Sequence, residues 1–264
     1  MPALVFADVL GVPRSRGRDL QRLAAELTRV PTTPEAGAAH RAAVDATREL
    51  FAELLAHKRR HPGDDLLTDM AQATGEGGTF GESDFVGMAV SMTIAGNDTT
   101  ANALASALHL LARHPEQRAA LVGDPALVPS AVEEVLRYEP PVHGLARVLT
   151  RDAELHGQRL AAGEKVLLLF ASGNRDERVF ADPERFDVRR RIDQHLSFGF
   201  GIHFCVGLRL GRLELQTALR SFLRRIPDYE VPLGEIHWSH IFATRQMVAL
   251  PVSFAPSKAG ARER

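Results

Sequence analysis

At 264 residues the chain is long enough for one large domain or two smaller ones, since a chain of this size buries about three quarters of its unfolded surface. An apolar share of 45%, a charged share of 25% and dispersed Gly and Pro exclude wholesale disorder. A formal net charge of -1 gives no global pull toward nucleic acid or an anionic membrane, no apolar run reaches the roughly 18 to 20 residues that cross a bilayer, and a single cysteine excludes an internal disulfide.

The opening MPALVFADVLGVPRSRG lacks the pattern of a basic start followed by an apolar segment and a small-residue cleavage site, so a cytoplasmic location is expected. Helices are predicted over Arg18 to Arg29 and over a long segment from about Glu35 to Arg60, ended by His61-Pro62-Gly63. After the Gly-rich stretch from Gly75 to Gly81, Ser83 is the predicted N-cap of a long, largely buried helix running to about Arg113. A short helix follows His114-Pro115. Another starts near Pro129 and stops at Pro140-Pro141.

From Leu145 to about Phe170 the pattern is short β-type runs broken at His156-Gly157 and Ala162-Gly163, as in a small sheet of hairpins. Asn174 to Arg191 is charged with isolated Phe180 and Phe186, which predicts an anchored coil. Val206 to Arg225 is an amphipathic helix, and Tyr229 to Phe254 returns to short strands. The fold class is therefore mainly α with small β-sheets, an α+β arrangement.

The lone cysteine sits in Phe198-Gly199-Phe200-Gly201-Ile202-His203-Phe204-Cys205-Val206-Gly207, directly before a helix. Free N–H groups and the positive end of the helix dipole favour an anion there, so the thiol is expected to ionise readily, and the thiolate is the metal-ligating form. Gly199, Gly201 and Gly207 let the backbone turn tightly against a flat ligand, with Phe198 packed beneath it. A buried small thiol and a His203–Cys205 nucleophile pair are the rival readings; the pair lacks a third, orienting group.

The loop fills every fixed position of the F-G-x-G-x-H-x-C-x-G pattern of the cytochrome P-450 family, which this chain resembles. The resemblance implies haem b (iron protoporphyrin IX) with Cys205 as axial thiolate. Ala95-Gly96-Asn97-Asp98-Thr99-Thr100 is similar to the family's oxygen-activation motif, A-G-x-(D/E)-T-(S/T). It implies that Gly96 opens room over the iron, Thr99 assists oxygen activation and Asp98 relays protons. Glu134-Val135-Leu136-Arg137 places an acid and a base on one helical face. With Arg185 from Pro183-Glu184-Arg185-Phe186, the family pattern closes a Glu-Arg-Arg network that holds the cysteine loop.

Arg147 and His203 match positions that hold haem propionates, and Ile94, His143, Leu145 and Phe242 fall where the family lines its substrate pocket. The activity implied is that of a haem-thiolate monooxygenase: one dioxygen atom enters a small organic substrate, and electrons come from NAD(P)H through ferredoxin and ferredoxin reductase. Arg209 and Arg212, just after the cysteine, lie where a ferredoxin docks in the family, with simple solvated side chains as the equal alternative. No nucleic acid and no membrane are expected as partners.

Residues 1–264 align with the C-terminal two thirds of the family's domain, beginning near Leu10-Gly11-Val12-Pro13. The first third of the pattern is not represented, so poor haem binding, low activity and exposed apolar faces are expected of such a chain. The alternative function is a non-catalytic homologue acting as a binding or helper protein.

Overall fold

The computed structural model describes residues 2–28, 31–74, 80–232, 234, 236–241 and 244–255, and the chain divides into two compact units, Met1–Ala101 and Asn102–Arg264. In the first unit, helix α1 spans Pro2–Leu10, α2 Gly17–Thr28, α3 Pro34–Arg60 and α4 Leu66–Ala73. Helix α5, Glu82–Arg113, begins here and continues into the second unit. Apolar residues spaced by three and four, among them Phe51, Leu54, Leu67, Phe85 and Ala89, close the core of this unit.

Local chemistry sets the helix ends. Thr33 caps α3 by accepting the Ala36 N–H at 3.2 Å, with Pro34 in the first turn. Asp65 caps α4 through the Thr68 N–H at 2.9 Å and also takes the buried Lys58 ammonium at 2.5 Å. The expected cap of α5 is displaced by two residues. Gly81 occupies the cap position, its N–H held by the Asp84 carboxylate at 2.8 Å, and Ser83 lies inside the first turn. Burial along α5 is continuous only over residues 106–111; farther toward its start, buried and exposed positions alternate, with Met88 44% exposed. The helix is thus less buried than its composition predicts.

Two helices of this unit were not predicted from the sequence. A nine-residue apolar run such as α1 has no decisive period, and α4 is only eight residues long, although its Asp65 cap was a usable signal.

In the second unit, α6 spans Pro115–Gly123 and α7 Val128–Tyr138, with Pro129 in the first turn as predicted. Strand β1 (Leu145–Val148) pairs antiparallel with β4 (Lys165–Leu168), Leu145 opposite Leu168. Strands β2 (Ala153–Leu155) and β3 (Gln158–Leu160) form a hairpin. Its turn puts His156 at φ 49° and Gly157 at φ 76°, as a tight hairpin of right-handed twist requires. The one-turn helix α8 (Phe170–Gly173) leads into the coil, which is anchored as expected: Phe186 and Val188 are buried, and Ser130 donates to the Val188 carbonyl at 2.8 Å. Helix α9, Leu208–Arg225, packs Leu215, Leu219 and Leu223 on α7, and β5 (Trp238–Ile241) pairs with β6 (Thr244–Met247). Among the described residues no helix is long and apolar enough to cross a membrane.

Candidate functional site

The cysteine loop is closed by its own backbone. Gly199 N–H donates to the Leu196 carbonyl, Phe204 N–H to Gly201 and Cys205 N–H to Phe198, each at 2.9 Å. Gly199 and Gly201 both sit at φ 70°, the left-handed region that only glycine adopts without strain, and a Cβ at Gly199 would come within 3.3 Å of the His203 carbonyl. Gly207 stands next, at the cap of α9. Phe198 is partly buried against the core of this unit. His203 lies exposed on a single 3-10 turn, Gly201–His203. Arg147 is half-buried on β1, where its Nη1 donates to the Ala146 carbonyl at 3.0 Å.

The thiol does not behave as its position before a helix predicted. Burial pushes the Cys205 thiol up, and this outweighs the Gly207 N–H and the Arg212 charge that favour the thiolate.

Helix α7 carries the pair that holds this loop's approach. Glu134 and Arg137 are both fully buried, and Arg137 donates from Nε to Glu134 Oε2 at 2.7 Å and from Nη2 to Oε1 at 2.9 Å. Arg137 Nη1 also reaches the carbonyls of Asn174 at 3.0 Å and Pro183 at 2.9 Å. The Asn174 side chain, in turn, takes the Leu196 N–H at 2.6 Å and donates to Ser197 Oγ at 2.8 Å. The third arginine differs from expectation: Arg190, not Arg185, places its Nε 3.3 Å from Glu134 Oε1. Arg185 points to Asp187 at 3.6 Å, with its side chain 66% exposed, and gives the network only its carbonyl, to Arg137. The coil turns between the two positions, so the proline-proximal arginine faces outward.

A second carboxylate, Glu133, was missed in the sequence because it reads as a surface residue beside a recognised motif. Arg212 donates to it from Nε and Nη2, both at 2.7 Å, and His195 Nε2 lies 3.2 Å from Oε2. The Arg212 guanidinium also stacks 4.7 Å from the Phe198 ring centre. Arg212 is therefore committed inward and is not the free ferredoxin-facing cation expected; Arg209 remains exposed.

Burial alone would raise the Glu133 carboxyl, but hydrogen bonds from His195 and Arg212 and the Arg212 charge hold it at about 2, below the ordinary 4.5. A carboxyl lowered in the folded state stabilises fully above pH 4.5 and loses that contribution as pH falls toward about 2. Wild-type protein should lose about 2 to 3 kcal/mol more than Glu133→Gln across that window, after discounting for partial exposure. Urea midpoints measured from about pH 5 to pH 2 check this; parallel acid limbs would refute it.

In the first unit, Thr99 donates through Oγ1 to the Ala95 carbonyl at 2.7 Å, one turn back on α5. Asp98 accepts from Asn97 Nδ2 at 3.4 Å. Gly96 does not open the expected room: a Cβ there would sit 2.5 Å from the Phe6 ring, so α1 fills the space that glycine frees. Ile94 is partly buried on the same helix. In the second unit Leu145 is 42% exposed on β1, and His143 turns onto Glu139, with Nε2 3.5 Å from Oε1. Phe242 lies outside the described residues.

Among the described residues no group of three or more His, Cys, Asp or Glu could hold a metal ion. Cys205 is thus a single soft donor. A lone thiolate suits an iron that brings a macrocycle of its own nitrogen ligands, whereas a bare zinc ion needs three or four side chains. The donor set and the tight glycine loop therefore fit a haem.

The family model described as Cytochrome P-450 matches residues 9–124 and 125–232. The steroid C26-monooxygenase of Mycobacterium tuberculosis is 36% identical over 268 residues, covering 97% of this chain and 70% of that protein. The pentalenic acid synthase of Streptomyces avermitilis is 37% identical over 256 residues, covering 96% of this chain and 63% of that protein. The solved structure of the bacillaene polyketide synthase cytochrome P-450 of Bacillus subtilis is similar at a TM-score of 0.89 and 31% identity, over 96% of this chain and 66% of that one. The chain spans 63% of the length of one of these curated relatives and 70% of the other. With the complete cysteine loop and the buried Glu134–Arg137 pair in place, and with the family model covering most of its length, this chain belongs to the cytochrome P-450 family.

Proposed function

We propose that this chain binds haem b through the Cys205 thiolate and works as a monooxygenase on a small organic substrate, with electrons from NAD(P)H delivered by a ferredoxin and its reductase. The observation that carries the reading is the closed glycine loop that presents one half-buried thiol just before α9. The relatives named above are a steroid monooxygenase and a synthase of pentalenic acid, which supports a small apolar substrate and an oxidative role, as in secondary metabolism. No observation favours the non-catalytic helper reading.

When bound, the haem supplies dioxygen binding and reduction, with electron donation from the thiolate favouring O–O cleavage. The chain's own residues do the rest. Arg147 offers a planar guanidinium suited to a carboxylate, and exposed His203 offers a ring N–H, so these two are the candidates for the haem propionates. Phe198 supports the loop from below, and Gly199, Gly201 and Gly207 keep Cβ atoms away from the ring. Thr99 and Asp98 are assigned to moving protons: the Thr99 hydroxyl would give up its Ala95 partner to donate a hydrogen bond, and the Asp98 carboxylate would relay protons to it.

Haem titration of the purified chain, followed by reduction under carbon monoxide, tests the reading. The expected result is partial uptake, as the unrepresented first third of the family pattern implies, with a red-shifted Soret band from the haem that binds; a band at the position of a nitrogen-ligated haem, or no uptake, would overturn it. In a turnover assay Thr99→Ala should release more peroxide per reductant consumed, with product falling about tenfold or more. An unchanged coupling ratio removes Thr99 from proton delivery.

A further inference from the structure

The cysteine loop rests on Phe198, and two side chains held by one carboxylate lie against the Phe198 ring. The Arg212 guanidinium lies 4.7 Å from its ring centre and the His195 ring lies 5.6 Å away. Both are fixed by the Glu133 carboxylate. Glu133 takes two parallel hydrogen bonds from Arg212 at 2.7 Å and meets His195 Nε2 at 3.2 Å. Ser197 N–H donates to His195 Nδ1 at 3.2 Å, which leaves the ring proton on Nε2, pointed at Glu133. Phe198 then holds the ligand: its carbonyl accepts the Cys205 N–H at 2.9 Å.

Adjacent acids on α7 therefore divide the work. Glu134 faces the coil through Arg137, while Glu133, one residue earlier and about 100° around the helix, faces the loop and α9. A bidentate, planar cation is needed for this second task, because the same guanidinium must satisfy both carboxylate oxygens and lie flat on a ring. Arg212 side-chain exposure is only 34%, and its charge acts on Cys205 as well.

We propose that Arg212, pinned by Glu133, is the positioning residue of the cysteine loop: with His195 it clamps Phe198, so the loop is already folded to receive haem before haem arrives. The proposal deepens the haem reading of Cys205 and rests on it for its purpose. It does not need haem for its test.

Hydrogen exchange on the haem-free chain reads the amides of Gly199, Phe204 and Cys205, whose acceptors are the carbonyls of Leu196, Gly201 and Phe198. Arg212→Met should lower their protection about tenfold or more while the interior of α5 keeps its own. Arg212→Lys should fail to restore it, since an ammonium neither forks nor stacks. Phe198→Leu, which keeps the ion pair, should loosen the same amides and serves if Arg212→Met does not fold. On the loaded chain, each variant should lose haem to a scavenging apoprotein about 10- to 100-fold faster. Wild-type protection of the three amides in Arg212→Met, or rescue by lysine, would reduce the group to an ordinary interhelical staple and overturn the proposal. Failure of wild-type protein to take up haem would instead overturn the proposed function, and the amide comparison would still decide the clamp.

Discussion

Cys205→Ala should abolish the red-shifted Soret band of the reduced carbon monoxide complex while leaving the fold almost unchanged. The loop's closing hydrogen bonds are all backbone to backbone, so removing the sulfur spares them. The thiol is only half-buried, and loss of so small a group from a partly solvated site costs about 1 kcal/mol or less. The spectroscopic effect is by contrast all or none, because no other cysteine exists to replace the ligand. Circular dichroism and thermal melting verify the fold, and the carbon monoxide spectrum reads the ligand. Cys205→His provides a positive control: it should retain iron contact without the red shift. Persistence of the wild-type band in Cys205→Ala would remove Cys205 from the iron.

The second large effect is on stability. Glu134→Ala or Arg137→Ala should each cost about 3 to 5 kcal/mol, since either change strands an opposite charge at full burial. A solvated pair at the same helical spacing would cost only about 0.2 to 0.5 kcal/mol, so urea unfolding separates the two cases cleanly. Replacing both residues by apolar ones should not recover the loss. Arg137 also satisfies the carbonyls of Asn174, Pro183 and Arg185, and Glu134 accepts the Asp187 N–H at 2.9 Å, so the double change leaves buried backbone groups unpaired. The damage should spread to the site through Asn174, which grips Leu196 and Ser197. A double variant as stable as wild type would show that the pair is replaceable packing.

Much of this molecule was legible in its order of residues. Helix periodicity and proline placement located α3, α6, α7 and α9 to within a few residues, because those signals are local and strong. His156-Gly157 declared its hairpin turn for the same reason. The cysteine loop was legible because its chemistry depends on fixed spacing along one strand of chain: a ring-bearing residue, glycines that can adopt φ 70°, and a thiol just before a helix. The Glu134–Arg137 pair was visible as two residues on one face.

What the sequence did not decide was which distant groups meet. That Arg190 rather than Arg185 reaches Glu134 depends on how an irregular coil bends, and no periodic rule governs a coil. That Phe6 fills the space beside Gly96 depends on α1 packing across α5, a contact between residues far apart in the chain. The direction of the Cys205 shift required knowing how much of the thiol is buried, since desolvation and the helix end push oppositely. Glu133 and His195 were unremarkable in the sequence and Arg212 read only as a surface cation; the three became a cluster only when α7, the loop and α9 came together. The motif along the chain by itself singled out Cys205 as the candidate ligand, with its loop; tertiary structure alone decided their supports, because hydrogen bonds, stacking and desolvation act over a few ångströms of space regardless of separation in sequence.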